Sequence, residues 1–144
     1  MLSEDALRRL GNLDRDQVEQ RIRRIYERWS QSGVAGVFDD LSADVAYPSN
    51  GFWTGVAGPL RGRDQVTRHL QKYADVFENI VCVLHEIVID GDRVVVHRTA
   101  VGRRNDTGRR YQCDFIDFIR FRDGLVVEYC AYPDAAWIEA DNIS

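Results

Sequence analysis

Residues 113–132 read "CDFIDFIRFRDGLVVEYCAY", two runs of strand-forming residues joined by Asp123-Gly124. An Asp-Gly pair between two such runs is a strong short-range signal for a β-hairpin. The first run carries two aspartates, Asp114 and Asp117. Because successive side chains of a strand alternate between its two faces, residues three apart point to opposite faces. Asp114 and Asp117 are therefore predicted not to form a carboxylate pair.

The segments on either side of this stretch show the same period of two. Asp90-Gly91 is a second hairpin signal, and "NDTG" at 105–108 is a third turn. The pattern predicts an antiparallel meander of four long strands. We place the long strands at 80–89, 92–104, 109–122 and 125–132, with a short strand at 44–48 before them.

The first half of the chain has helical periodicity. In residues 14–32 the apolar side chains recur at helical spacing, and further helices are predicted at 34–41 and 63–77. Long antiparallel strands with three helices on one side predict an α+β fold. In this fold a cone-shaped, curved sheet wraps around the helices and encloses an internal cavity. The glycine-rich loop 50–62 carries Phe52 and Trp53, which we expect at the rim of that cavity.

Length and composition exclude several classes of function. A chain of 144 residues suits one domain, placed at 14–138, with an extension at 1–13 that could form a short helix and a tail at 139–144. A net charge of −4 gives no support for a nucleic-acid partner. No apolar run approaches the roughly 20 residues of a membrane span. Three cysteines without a C-x-x-C pair favour a reducing, cytoplasmic setting. Phosphate-loop and metal-ligand spacings are absent from the sequence, so we expect no cofactor.

Strand alternation places one ionisable group on an otherwise apolar face of each of three strands. These groups are Asp117, Arg98 and His85, and Tyr26 lies on the apolar stripe of the first helix. Burying an unpaired charge costs several kcal/mol, roughly, so such groups pair, line a wet pocket or change protonation state. We interpret the set as a candidate catalytic wall. The alternative is an internal Arg98–Asp117 salt bridge with His85 hydrogen-bonded to the backbone.

Three segments resemble the nuclear transport factor two-like superfamily, and its SnoaL-like polyketide cyclase branch in particular. They are "LSADVAYP" at 41–48, "GPLRGRDQV" at 58–66 and "DFIRFRDGLVVEYCAYPDAA" at 117–136. Together with the order of helices and strands, the resemblance covers roughly residues 14–138. It implies the cone fold, and it leaves the function open because this superfamily contains many chemistries as well as non-enzymes.

The ketosteroid isomerases of this superfamily have a motif similar to "FIDFIRF" at 115–121, whose aspartic acid helps to form an oxyanion hole. Asp117 falls at that position. The partner tyrosine stands seven residues before a glycine, as Tyr26 stands before Gly33. The aspartate that acts as general base there falls on Tyr47. The resemblance therefore implies an oxyanion-hole pair without the carboxylate base.

Two other enzymes of the superfamily match in part. Limonene epoxide hydrolase uses an Asp-Arg-Asp set, of which Arg98 matches the arginine, while the aspartate positions fall on Ala100 and Ala131. Scytalone dehydratase uses tyrosines and histidines, and Tyr47 and His85 fall near two of them. Its second histidine would lie near Gly102 and is missing.

These residues predict a cofactor-free acid–base enzyme of the isomerase, cyclase or dehydratase type. Its substrate would be a small, largely apolar carbonyl or polyketide-like molecule. His85 is the expected base, because its ordinary pKa is near neutral. A protonated Asp117 with Tyr26 would donate hydrogen bonds to an enolate, unless Arg98 pairs with Asp117 and holds it ionised. Tyr47 would orient the substrate or relay a proton. Expected substrate-binding residues are Trp53, Phe52, Phe115 and Tyr129.

Two alternatives stay open at this point. One is a non-catalytic module that binds a hydrophobic ligand or serves in assembly, and the weaker one is an epoxide hydrolase. The outer sheet face carries an apolar patch rimmed by charge, which predicts a homodimer that packs sheet against sheet. The patch residues are Val95, Val101, Ile116 and Phe118. His97 is expected to be structural and His69 to lie at the surface.

Overall fold

The computed structural model describes residues 13–48 and 59–134. It confirms an α+β fold in which helices pack on a curved, unclosed sheet. The predicted N-terminal helix and the rim residues Phe52 and Trp53 lie outside the described residues. The elements are α1 (Arg15–Ser32), α2 (Val34–Val37) with a 3₁₀ turn (Phe38–Asp40), β1 (Leu41–Tyr47), β2 (Leu60–Arg61), α3 (Arg63–Val76), β3 (Phe77–Asp90), β4 (Arg93–Arg104), β5 (Arg110–Arg122) and β6 (Leu125–Pro133).

Helix α1 begins and ends at capping residues visible in the sequence. The Asp14 carboxylate accepts a hydrogen bond from the backbone N–H of Gln17, whose side chain accepts one from the N–H of Asp14. Gly33 ends the helix with φ of 61°, where a side chain would be strained. The buried stripe includes Ile22 and Tyr26, so the predicted helix is confirmed. Within the described residues, no helix is long and apolar enough to cross a membrane.

The six strands of the described sheet follow the order β2-β1-β6-β5-β4-β3. Strands β3 to β6 form the predicted antiparallel meander. Strand β1 is longer than the predicted strand at 44–48, and it runs parallel to β6, whereas the four meander strands pair antiparallel. Its partner is about 80 residues further along the chain, and no turn signal fixes its direction. The two-residue strand β2 was not predicted, because two residues are too few to show a period.

Alternation on β4 and β5 is as predicted. Arg98 on β4 and Asp117 on β5 are buried on the face that packs against the helices, while Asp114 is exposed on the outer face. Register explains why the two charges meet. Val96 is paired with Asp117 and Arg98 with Phe115, so Arg98 and Asp117 are diagonal neighbours on one face of two adjacent strands.

A β-bulge on β3 reverses the predicted position of His85. Leu84 is paired with Arg98 and Glu86 with His97, which leaves His85 as the extra residue. Leu84 points inward, whereas His85 and Glu86 are both exposed on the outer face. The prediction that His85 lies on the cavity wall is therefore wrong. Counting by two back from the inward Ile87 crosses the bulge and therefore assigns His85 to the wrong face.

Candidate active site

The centre of the site is a buried ion pair. Arg98 Nε lies 2.6 Å from Asp117 Oδ2 and Arg98 Nη2 lies 3.4 Å from Oδ1. The two side chains are only 6% and 0% exposed. Burial lowers the pKa of Arg98, but the adjacent Asp117 carboxylate raises it, and the net pKa lies well above its ordinary value. Arg98 is therefore a permanent cation, and its guanidinium also lies over the Phe115 ring at 4.2 Å.

Tyr26 completes the centre from helix α1. Its hydroxyl donates a hydrogen bond to Asp117 Oδ2, the same oxygen that Arg98 Nε contacts. Burial and the neighbouring Asp117 charge raise the pKa of Tyr26, so the phenol stays protonated. With two donors aimed at it, the Asp117 carboxyl is placed as an acceptor. This geometry corresponds to the ionised alternative, and a protonated Asp117 that donates to an enolate does not fit it.

A cavity of about 70 Å³ lies between this centre and the helices. A single water molecule needs about 10–15 Å³ by the same kind of measure, so the cavity has room for a small organic group. Its wall is largely apolar and includes the predicted residues Phe115 and Tyr129. Polar side chains also reach the wall, namely Tyr26, Asp40, Tyr47, His69, Tyr73, Arg98 and Tyr129.

Tyr129 presents a hydrogen-bond donor to the cavity. Its hydroxyl has no hydrogen-bond partner among residues 13–48 and 59–134, although the ring packs against Tyr47 at 5.9 Å between centroids. Burial and then the Asp117 charge raise the pKa of Tyr129 well above its usual value. The phenol therefore stays protonated and is available to a ligand oxygen.

His69 is the site residue that the sequence reasoning missed. It is 3% exposed and lines the cavity, and its ring lies 4.8 Å from the Tyr47 ring between centroids. Burial lowers the pKa of His69, so the imidazole is neutral at pH 7. The expectation of a surface position is wrong. Helical spacing in the sequence indicates the buried position, because His69 follows buried Val66 by three residues and precedes buried Tyr73 by four.

Tyr47 lines the cavity wall, but its hydroxyl is hydrogen-bonded to the backbone of strand β6. It donates to the carbonyl of Ala131 at 3.1 Å and accepts from the N–H of Ala131 at 3.2 Å. These bonds take the place of a strand neighbour where β1 separates from β6. They leave the Tyr47 hydroxyl less suited to the predicted proton relay.

Asp40 is a second carboxylate on the wall that the sequence did not single out. It is buried at the end of the 3₁₀ turn and accepts a hydrogen bond from Arg28 Nη1 at 3.2 Å. The positions where the epoxide hydrolase resemblance requires aspartates hold Ala100 and Ala131, both buried. His85 does not line the cavity, and its Nε2 lies 2.6 Å from Thr99 Oγ1 on the outer face.

Comparisons with known proteins agree with this architecture. A family model described as a SnoaL-like domain matches residues 22–129. An NTF2-like protein of unknown function from Burkholderia pseudomallei is 24% identical, with a TM-score of 0.71 over 85% of this chain and 94% of that one. IdmH from Streptomyces antibioticus, for which a polyketide cyclase function has been suggested, is 22% identical. Its TM-score is 0.74, and the match covers 86% of this chain and 96% of IdmH. No curated protein matches the sequence. At these identities the solved structures establish the fold alone.

Proposed function

The chain belongs to the SnoaL-like domain family, and we propose that it is a cofactor-free acid–base catalyst. Its proposed substrate is a small, largely apolar carbonyl or polyketide-like molecule bound in the cavity. One observation carries the proposal. A neutral imidazole, His69, and a protonated phenol with an unused hydroxyl, Tyr129, both contact the Tyr47 ring on the wall of a largely apolar cavity.

The two groups fit the two requirements of enolate chemistry. A base must remove a proton from the carbon next to the carbonyl, and a neutral imidazole is the competent form. A donor must then stabilise the negative charge that develops on the carbonyl oxygen, and a phenol held in the cavity wall suits this because it needs no reorganisation. In this proposal His69 is the base and Tyr129 the donor. Return of the proton to another carbon completes an isomerisation. In an aldol cyclisation the enolate carbon bonds to a second carbonyl carbon and the proton goes to the new alkoxide, whereas in a dehydration the bond from the β-carbon to its hydroxyl breaks and the proton leaves with that hydroxyl as water.

The ion pair has a supporting electrostatic role in this proposal. Three of the five N–H groups of Arg98 are used, two on Asp117 and one on Cys82 Sγ at 3.5 Å. Since Arg98 also lines the cavity, its remaining N–H groups and its charge favour an anionic intermediate there. Asp117 in turn fixes the orientation of Arg98 and Tyr26.

Exchange of α-protons tests this function without knowledge of the natural substrate. The protein is incubated in D₂O with apolar ketones such as cyclohex-2-enone and 1-tetralone, and deuterium uptake is followed by NMR. We expect catalysed exchange that Tyr129→Phe lowers by about 10²-fold or more. Tyr132→Phe is the matched control, since Tyr132 is 47% exposed on the outer face. Exchange by Tyr129→Phe at the wild-type rate would contradict the proposal.

A second candidate is a binding module without turnover. This candidate is favoured because both carboxylates on the described part of the cavity wall, Asp40 and Asp117, are ion-paired with arginines. Saturable binding of the same ketones, measured by calorimetry, without any catalysed deuterium uptake would select this candidate.

We also propose that the chain forms a homodimer through its outer sheet face. Ile116 and Phe118 are 38% and 51% exposed there, next to half-buried Val95 and Val101. Phe118 is in edge-to-face contact with exposed Tyr132 on the neighbouring strand, which extends the apolar patch. Large exposed aromatic side chains on one continuous face are typical of a partner surface.

A further inference from the structure

A second cluster of functional groups lies on the outer face of the sheet, away from the cavity. His85 on β3, His97 on β4 and Asp114 on β5 bring two imidazoles and a carboxylate together from three adjacent strands. One ligand atom from each residue lies within 4.8 Å of the others. None of the three lines the cavity, so the proposed enolate chemistry makes no use of them.

The β-bulge on β3 creates this cluster. Counted back by two from the inward Ile87, strict alternation without the extra residue would place His85 inward, away from His97 and Asp114. With the bulge, both His85 and Glu86 point outward and Ile87 returns to the inner face. The His85 ring then lies 4.8 Å from the His97 ring between centroids. Bulges of this kind often re-aim a side chain next to a functional site.

Thr99 links the members of the cluster. Its hydroxyl donates to Asp114 Oδ1 at 2.6 Å, so it accepts from His85 Nε2, also at 2.6 Å. His97 Nε2 lies 3.6 Å from Asp114 Oδ2. The hydrogen bond from Thr99 and, to a lesser degree, the nearby histidines lower the pKa of Asp114, so its carboxylate is ionised at neutral pH. The His97 and Asp114 side chains are 40% and 53% exposed in the single chain, and they lie beside the proposed dimer patch, because His97 is paired with Ile116.

We propose that His85, His97 and Asp114 bind a divalent transition metal ion, with Zn²⁺ as the best match. Two imidazole nitrogens and one carboxylate oxygen form a donor set that zinc accepts, and three protein ligands leave a fourth position for water or another ligand. Zinc bonds of about 2.0–2.1 Å in a tetrahedron separate donor atoms by roughly 3.3 Å. The farthest pair must therefore approach by about 1.5 Å, which rotation of exposed side chains allows.

Metal titration tests this site. Untagged protein, stripped of metal with a chelator, is titrated with Zn²⁺ by calorimetry and with Co²⁺ by visible absorption. We expect saturation at no more than one ion per chain. His85→Ala and Asp114→Asn should each raise the Kd for Zn²⁺ by about tenfold or more. His69→Gln is the matched control, because His69 is the third histidine of the chain and lies in the cavity; its Kd should stay within about twofold of wild type.

Several results would contradict the proposed zinc site. Wild-type protein that shows no saturable Zn²⁺ binding in calorimetry and no Co²⁺ spectrum would do so. Unchanged affinity in both His85→Ala and Asp114→Asn, or a loss of binding in His69→Gln, would also do so. Circular dichroism checks that each variant is folded, and His97→Gln replaces any variant that is not, with the same expected loss of affinity.

Discussion

Removing one member of the buried Arg98–Asp117 pair should destabilise the protein strongly, and removing both members should cost less than the sum of the two single losses. In Arg98→Met the Asp117 carboxylate, 0% exposed, keeps only the Tyr26 hydroxyl as a partner among the described residues. In Asp117→Asn the Arg98 guanidinium, 6% exposed, loses its only anionic partner in the described chain. Removal of one member of such a pair costs about 3–5 kcal/mol, because the other charge stays buried without compensation.

The double variant Arg98→Met/Asp117→Asn removes both charges at once. Its loss of stability should therefore fall short of the sum of the single losses by about 2 kcal/mol or more. Urea denaturation followed by circular dichroism gives the free energy of unfolding of all four proteins. For a chain of this length, each single variant should also lower Tm by roughly 10–15 °C.

Additivity of the two single losses within about 0.5 kcal/mol would refute this reasoning. It would mean that the two side chains are not coupled in solution, and that Asp117 is not held as an ionised acceptor by Arg98. The electrostatic role proposed for the pair would then have no basis.

Four further predictions concern His69, the outer sheet face and Tyr47. The rate of α-proton exchange should rise with pH with a midpoint below about 6.5, because burial lowers the pKa of His69 and only neutral imidazole acts as a base; a midpoint above 7 would contradict this. Stability should likewise fall as the pH drops below about 6.5, since the unfolded state then binds the proton more tightly, and His69→Gln should lose this slope. Phe118→Glu should convert the proposed dimer into a monomer in light scattering at micromolar concentration, whereas Leu125→Glu, 37% exposed at the hairpin, should not. Tyr47→Phe should cost about 1–3 kcal/mol in urea denaturation, because the N–H and C=O of Ala131 lose their shared partner.

Local periodicity predicted much of this molecule. The capped helix α1, the two Asp-Gly hairpins and the meander follow from patterns that span only a few residues each. Strict alternation on β4 and β5 separated Asp114 from Asp117 and placed Arg98 and Asp117 on one buried face, and the apolar stripe of α1 placed Tyr26 opposite them. These inferences succeeded because a buried face leaves a strand only one register that hides its apolar residues.

The errors arose where the decisive interaction is not local. The bulge at His85 depends on the pairing of β3 with β4, and one extra residue is enough to move a side chain to the other face. The direction of β1 was not predicted, because it depends on a partner near the end of the chain. His69 was a different case, since its helical spacing from Val66 and Tyr73 was visible, but a histidine on a helix is more often exposed.

The most direct test of the central claim is the rate of ketone α-proton exchange in His69→Gln relative to wild type. The ratio is measured by NMR in D₂O at pH 7, with ketone binding by both proteins verified by calorimetry. If the cavity performs acid–base chemistry with His69 as the base, the variant should bind the ketone and exchange its α-protons about 10²-fold more slowly or worse. Equal exchange rates in the two proteins would contradict the claim.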